Sequence, residues 1–226
     1  MASTPALRTN VYIDGFNLYY GCLRNTPYKW LNLEALCRIM LPNDQIQRIK
    51  YFTAHVSARP YDPTQPARQQ VYLRALHTLP KVTIILGQYL EHAVYMPLLA
   101  PIGTPRQLPP STQIAQRPPM VWVLKSEEKG SDVNLATQLL MDACRRDFDI
   151  AVVVSNDSDL VEPIKLIQSE YGLPVGVLNP QQQHPSVVLA RHAAFIKNIR
   201  SRALGNSQFP TTLSDNHGSF HKPPTW

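Results

Sequence analysis

Ile150-Ala151-Val152-Val153-Val154 is an unbroken apolar run, mostly β-branched, with no position that turns a polar side chain toward water. A strand of that kind has to be covered on both faces, as in a parallel sheet sandwiched between layers of helix. Around it the chain alternates strand-like runs at 11–14, 46–56, 82–86 and 174–178 with segments of helical period. In 31–41, Leu33, Leu36, Cys37 and Met40 share one face before Pro42-Asn43-Asp44 ends it. Similar patterns fill 67–79 and 131–145, the latter with Ser131 as the expected N-cap, and a further helix carries Leu160, Val161, Ile164 and Ile167. The alternation predicts an α/β fold in three layers, α/β/α, around a mostly parallel central sheet. With the predicted strands numbered along the chain, a doubly wound order of 3-2-1-4-5 opens a crevice between strands one and four.

Two stretches depart from this rhythm. Residues 94–119 contain Pro97, Pro101, Pro105, Pro109, Pro110, Pro118 and Pro119, which exclude a regular element over most of that length and predict an inserted loop. Residues 120–124 return to strand character and are expected to pair back on the end of the third strand, giving a hairpin that carries the proline-rich insertion. Residues 186–199 read as a last helix or strand. Residues 201–226, rich in Ser, Thr, Asn, Pro and His, read as a disordered tail.

A length of 226 residues suits one domain with a short extension, and 44% hydrophobic against 17% charged residues indicates that most of it folds. The formal charge of +6 favours an anionic partner. Cys22, Cys37 and Cys144 form no Cys-x-x-Cys pair and have no His at ligand spacing, so neither a disulfide framework nor a zinc site is indicated, and a cytoplasmic location is expected. No secretory leader and no apolar run near the ~20 residues of a membrane span are visible, so no membrane partner is expected.

The chemistry is carried by aspartates. Asp14 ends the first strand in Ile13-Asp14-Gly15-Phe16-Asn17, and Asp157 and Asp159 follow the fourth strand in Ser155-Asn156-Asp157-Ser158-Asp159. Asp132 opens a helix in Lys129-Gly130-Ser131-Asp132-Val133. Carboxylates at the carboxyl ends of adjacent parallel strands, with no Gly-rich phosphate loop beside them, point to a hard cation. Each also has a purely local explanation. Asp157 or Asp159 can cap the next helix, Asp159 with Glu162 mimics a capping box, and Asp132 suits a helix N-terminus. Capping, however, does not require several aspartates to meet in one crevice. Clustered carboxylates repel, and Mg²⁺ or Mn²⁺ relieves that repulsion while binding phosphate oxygens. Asn17 is placed to hold a phosphate oxygen or to cap a helix. Lys125, Lys129, Arg59 and Arg68 are candidates for contacts with nucleic acid, against the alternative of ordinary solvated cations.

These three motifs, in this order and context, resemble the NYN domain family, the LabA-like branch of the PIN-like nucleases, over about residues 9–199. The resemblance implies a PIN-like fold and a divalent-metal site formed by Asp14, Asp132, Asp157 and Asp159, with Asn17 in support. It further implies a metal-dependent endoribonuclease acting on single-stranded or structured RNA, with a homo-oligomer as a possible assembly. Within such a site Asp14, Asp132 and Asp157 are expected to hold the ion, and Asp159 to bind a second ion or orient the attacking water. One rival function keeps the fold, a catalytically weak RNA-binding or protein-interaction regulator; another is a small-molecule phosphatase, which also uses aspartates at strand ends with magnesium. Phe16 stands where the usual haloacid-dehalogenase phosphatase has its second aspartate.

Overall fold

A computed structural model of the chain describes residues 6–59, 61–98, 118–181 and 185–226. The chain opens with β1 (Arg8–Asp14), α1 (Gly15–Leu18) and a π-helical turn (Tyr19–Leu23), followed by α2 (Leu33–Met40), β2 (Gln45–Thr53), α3 (Gln65–His77) and β3 (Val82–Leu86). Next come β4 (Gln88–Pro97), β5 (Met120–Lys129), α4 (Ser131–Cys144), β6 (Ile150–Val154), a 3-10 turn (Ser158–Leu160), α5 (Val161–Tyr171) and β7 (Val175–Asn179). The last elements are α6 (Val187–His192), β8 (Ile196–Asn198), α7 (Ser201–Gly205), β9 (Thr212–Asp215) and β10 (Gly218–His221).

Six strands form the central sheet in the order β3-β2-β1-β6-β7-β8, and every neighbouring pair is parallel. This is the expected 3-2-1-4-5 order with β8 added at one edge; the segment 186–199 supplies both a helix and that strand. Alternation along the strands separates two cores. Val11, Ile13, Ile49 and Val152 pack with Trp30, Leu36 and Leu76 on one face, whereas Tyr12, Phe52 and Val153 pack with Leu135, Leu139 and Ile164 on the other. All of β6 is therefore buried, as its apolar sequence requires.

A buried ionic network pins α4 to its face of the sheet. Asp142 accepts the Tyr12 hydroxyl at 2.6 Å and the Lys50 ammonium at 2.6 Å, and Lys50 also donates to Gln138 at 2.7 Å. Burial and the neighbouring carboxylate push the Tyr12 hydroxyl far above its usual pKa, so it remains a donor.

Three expectations need correction. The proline-carrying hairpin is formed by β4 and β5, a separate antiparallel pair running from Gln88↔Lys129 to Pro97↔Met120, and β3 takes no part in it. Residues 94–97 are therefore strand. Pro97 sits at the last position of its strand, where a missing N–H does not interrupt the ladder. Residues 99–117, with Arg106 and Arg117, lie outside the described residues.

The segment 201–226 is folded. Phe209 and Phe220 are buried, Trp226 packs on Trp30 and Tyr72, and the Trp30 indole donates to Pro210 O at 2.8 Å. Arg74 holds Asp215 through contacts of 2.7 and 2.6 Å. The polar composition conceals a few well-spaced anchors that find an aromatic surface waiting on the domain.

Finally, Gly130, at φ +92°, occupies the cap position of α4, and the Glu128 carboxylate accepts the Ser131 N–H at 2.8 Å. Ser131 is thus the first helical residue and not the cap, because the left-handed turn before it suits glycine. Among the described residues no helix is long and apolar enough to cross a membrane.

Candidate active site

The order of the sheet reverses between β1 and β6, and Ile13 pairs with Val154 there. The residues that follow both strands therefore leave the sheet side by side at its carboxyl edge. Asp14, the last residue of β1, is buried and caps α1, accepting the Asn17 N–H at 2.9 Å and the Ser155 hydroxyl at 3.1 Å. The same Ser155 oxygen accepts the Asp157 N–H at 3.1 Å, so one hydroxyl ties the two aspartates' segments together. The Asn17 side-chain oxygen accepts the Asn156 N–H at 3.0 Å, a second link between the two strand ends. Next to Asp14, a Cβ on Gly15 would lie 2.7 Å from Phe52 O and from the Tyr51 ring, so the backbone passes where only glycine fits.

Asp132 joins from the first turn of α4, and Glu128 from the end of β5. Together Asp14, Asn17, Glu128, Asp132 and Asp157 line an open cleft of about 340 Å³, with Phe16, Tyr20, Tyr89 and Gln181 completing its walls. Asp132 is pushed up to about 6, first by partial burial and then by the charges of Asp14, Asp157, Glu128 and Asp159. Burial also raises Asp14, against the opposing hydrogen bonds from Asn17 and Ser155. Asp157 caps the 3-10 turn by accepting the Asp159 N–H at 3.0 Å. The capping role considered for either aspartate thus falls to Asp157, and Asp159 lies exposed, outside the lining of the cleft.

The donor set is all hard oxygen, which suits Mg²⁺ or Mn²⁺ over a softer metal. Among the described residues no group of three or more His, Cys, Asp or Glu side chains is arranged to hold a metal ion by itself. That agrees with the usual habit of Mg²⁺, which takes one or two carboxylates and completes its shell with waters and substrate oxygens.

None of the four candidate cations lines the cleft. Lys125 and Lys129 pair with Glu127 at 2.6 and 3.4 Å, Arg59 donates to the Tyr89 hydroxyl at 2.9 Å and pairs with Glu91 at 3.8 Å, and Arg68 pairs with Asp62 at 2.5 Å. Nothing in the sequence sets Glu128 apart from its neighbour Glu127, and both read as counter-charges for the lysines. The strand period separates the two acids: Lys125, Glu127 and Lys129 share one face of β5, and Glu128 points to the other. Nor does the sequence mark Tyr89, Tyr20 and Gln181, which lie on elements whose patterns show no chemistry. Beside the cleft and sharing Phe16 and Tyr20 with it lies a second, largely aromatic pocket, walled further by Tyr19, Tyr51, Tyr72 and Trp226.

The sequence profile of the NYN domain matches residues 8–200, most of the chain. The chain belongs to the NYN domain family. The fold of this NYN domain is accordingly that of the PIN-like nucleases. It is 34% identical over 244 aligned positions to the 6-hydroxy-3-succinoylpyridine 3-monooxygenase HspA of Pseudomonas putida (strain DSM 28022 / S16), covering 97% of this chain and 75% of that protein. Among solved structures it is similar to VPA0982 of Vibrio parahaemolyticus RIMD 2210633, a protein of unknown function, with a TM-score of 0.57 and 16% identity. That likeness spans 92% of the NYN chain and all of its counterpart, and concerns the fold alone.

Proposed function

We propose that this NYN domain is a divalent-metal-dependent endoribonuclease of the cytoplasm. The observation that carries the reading is the meeting of Asp14, Asp132, Asp157 and Glu128 in one cleft at the switch point of a parallel sheet, with Asp132 pushed up to about 6. Clustered acids at such a cost in repulsion are understandable where a cation belongs. One or two of Asp14, Asp132 and Asp157 would hold it directly, the others acting through its bound waters, and Glu128 adds negative charge from β5. A bound Mg²⁺ or Mn²⁺ supplies charge to the phosphate oxygens and lowers the pKa of an attacking water.

The chain's own groups do the rest. Ser155 fixes the Asp14 carboxylate, and the peptide of Asn156 occupies the Asn17 oxygen, which leaves the Asn17 amide nitrogen to donate to a phosphate oxygen. Asp159, at the rim, is positioned to steer solvent or a second ion. The net charge of +6 favours association with RNA, which weakens as salt rises. Lys125, Lys129 and Arg59 reach RNA only by exchanging the acids that now pair with them, whereas Arg68, paired with Asp62, already lines the aromatic pocket beside the cleft. Cys22, Cys37 and Cys144 are all free, in keeping with a reducing compartment.

The test is cleavage of a labelled RNA in manganese and in chelator by the wild type, Asp14→Asn and Asp132→Asn. Manganese-dependent products with 5′-phosphate ends, reduced about a hundredfold or more in each variant, are expected, as for removal of an electrostatic group from a reacting centre. Equal activity under all conditions defeats the reading. Tight binding without cleavage under any divalent ion turns it into the regulator.

The 34%-identical relative, together with an aromatic pocket beside the cleft, favours a second reading, oxygenation of a substituted pyridine. Dioxygen uptake with 6-hydroxy-3-succinoylpyridine and an electron donor, with an oxygen atom of dioxygen recovered in the pyridine product, would establish it.

A further inference from the structure

We propose that the aromatic pocket beside the acidic cleft is a subsite for a single unstacked nucleobase, that of a nucleotide adjoining the phosphate held at the carboxylates. The inference rests on RNA being the substrate. Phe16, Tyr20, Tyr72 and Trp226 supply walls to this pocket, and no carboxylate lines it. Its charged side chains are Lys29 and Arg68, both cationic, so it suits an electron-rich ring and not a cation. Its volume of about 70 Å³, room for a few waters, admits the edge of a ring resting on the aromatic faces at its mouth and is too small for a dinucleotide cofactor.

The position is as telling as the lining. Gly15 and Phe16 follow Asp14 directly in the chain and line the pocket, while Phe16 and Tyr20 belong to pocket and cleft alike. A ligand seated here continues into the cleft without crossing a ridge. Phe16 lies nearly parallel to Tyr20 and Tyr89, at interplanar angles of 18° and 29° and centroid distances of 6.5 and 6.3 Å, so an aromatic row runs from the pocket along the mouth of the cleft. Single-stranded RNA is held in this way, its bases on aromatic faces and its backbone at charged groups.

Polar groups for the edge of a base are also present. The side chains of Lys29 and Gln65 line the pocket and make no hydrogen bond among the described residues, whereas the Gln69 amide is bonded to the backbone at Ala54 and Val56. Tyr72 is no free donor to the pocket, because its hydroxyl is given to Leu31 O at 2.9 Å. Base selection therefore falls to Lys29 and Gln65, with Arg68 held on Asp62 at the same wall.

The test uses the full chain and a hydrolysis-resistant phosphorothioate hexanucleotide in manganese, with dissociation constants read by fluorescence anisotropy. A set of hexanucleotides, each lacking one base, scans the strand. At one position removal of the base weakens binding to the wild type between roughly five- and a hundredfold, the range of a base–aromatic stack. Tyr20→Ala, a change at an exposed ring that leaves the circular dichroism spectrum unaltered, weakens the intact strand similarly and removes the penalty at that one position. Gln65→Ala provides a second variant with the same expected coupling.

Equal affinity for all the abasic strands, or an undiminished abasic penalty in both variants, overturns the subsite while leaving the RNA reading standing. Failure of the wild type to bind any of the strands overturns both. The same ring chemistry is offered by a free pyridine carboxylate. If 6-hydroxynicotinate quenches tryptophan emission more tightly than a mononucleotide does, and Trp226→Phe abolishes that quenching, the pocket belongs to a small molecule and the proposal falls.

Discussion

Asp132 carries the clearest electrostatic signature of the site. Its carboxyl rises from the usual 3.8 to about 6 in the folded chain, so the folded state holds that proton more tightly than the unfolded one. The associated stability is present below about 3.8 and is lost as pH rises through about 6. Asp132→Asn removes the charge, and in chelator it should stabilise the protein at pH 7.5 and not at pH 4. After allowance for solvent screening of this half-buried group, the gain is about 1 kcal/mol, or roughly 2–4 °C in melting temperature by calorimetry. Manganese should raise the melting temperature of the wild type by more than that of the variant, by preferential binding to the folded state. A wild type indifferent to manganese removes the cation from the account. Asp14, Asp132 and Asp157 were legible because strand ends and a helix start announce themselves in the pattern of apolar residues. Glu128 was hidden because its face of β5 follows from the strand period and not from its neighbour Glu127, and Asp159 stands exposed outside the lining because Asp157 caps the turn.

At the scale of elements, α4 places Asp132 only as well as it is itself placed. The buried group of Tyr12, Lys50 and Asp142 anchors that helix to β1 and β2 from below. Asp142→Ala leaves an uncompensated ammonium in the core and should cost about 3–5 kcal/mol in urea unfolding. The triple change Tyr12→Phe, Lys50→Met, Asp142→Leu removes the network as a unit and should restore most of that loss. If the triple variant is stable yet binds manganese less well, the network's use lies in positioning. The central strands were readable because continuous β-branched runs leave few alternatives. The strand β4 was not, since Gln88–Pro97 mixes Glu, His and Gln with its apolar residues, and a strand exposed along most of its length needs no continuous apolar pattern.

For the whole molecule, the segment after residue 200 decides where the domain ends. Phe209, Phe220 and Trp226 cover the aromatic surface around Trp30 and Tyr72. Deleting 207–226 exposes that surface, and burial of each large side chain is worth about 1.5–3 kcal/mol. The truncated chain should therefore lose most of a typical 5–15 kcal/mol of stability and unfold or aggregate at ambient temperature. A soluble truncation with an unchanged urea midpoint contradicts the packing described. Composition hid this outcome because disorder is read from averages, whereas docking depends on a few residues at the right spacing.

The hairpin of β4 and β5 is rooted where Gly87 leaves β3 and Gly130 enters α4 beside the Gln88↔Lys129 pair, and near that root Tyr89 and Glu91 reach Phe16 and Arg59 of the body. An attachment with both roots side by side is a graft: its two strands can lengthen or shorten without moving a strand of the sheet. Only the root is bound by the chemistry, because Tyr89 and Glu128 stand there, facing the cleft. Variation in what such a domain recognises can thus accumulate along the arm while the carboxylates below it stay in register.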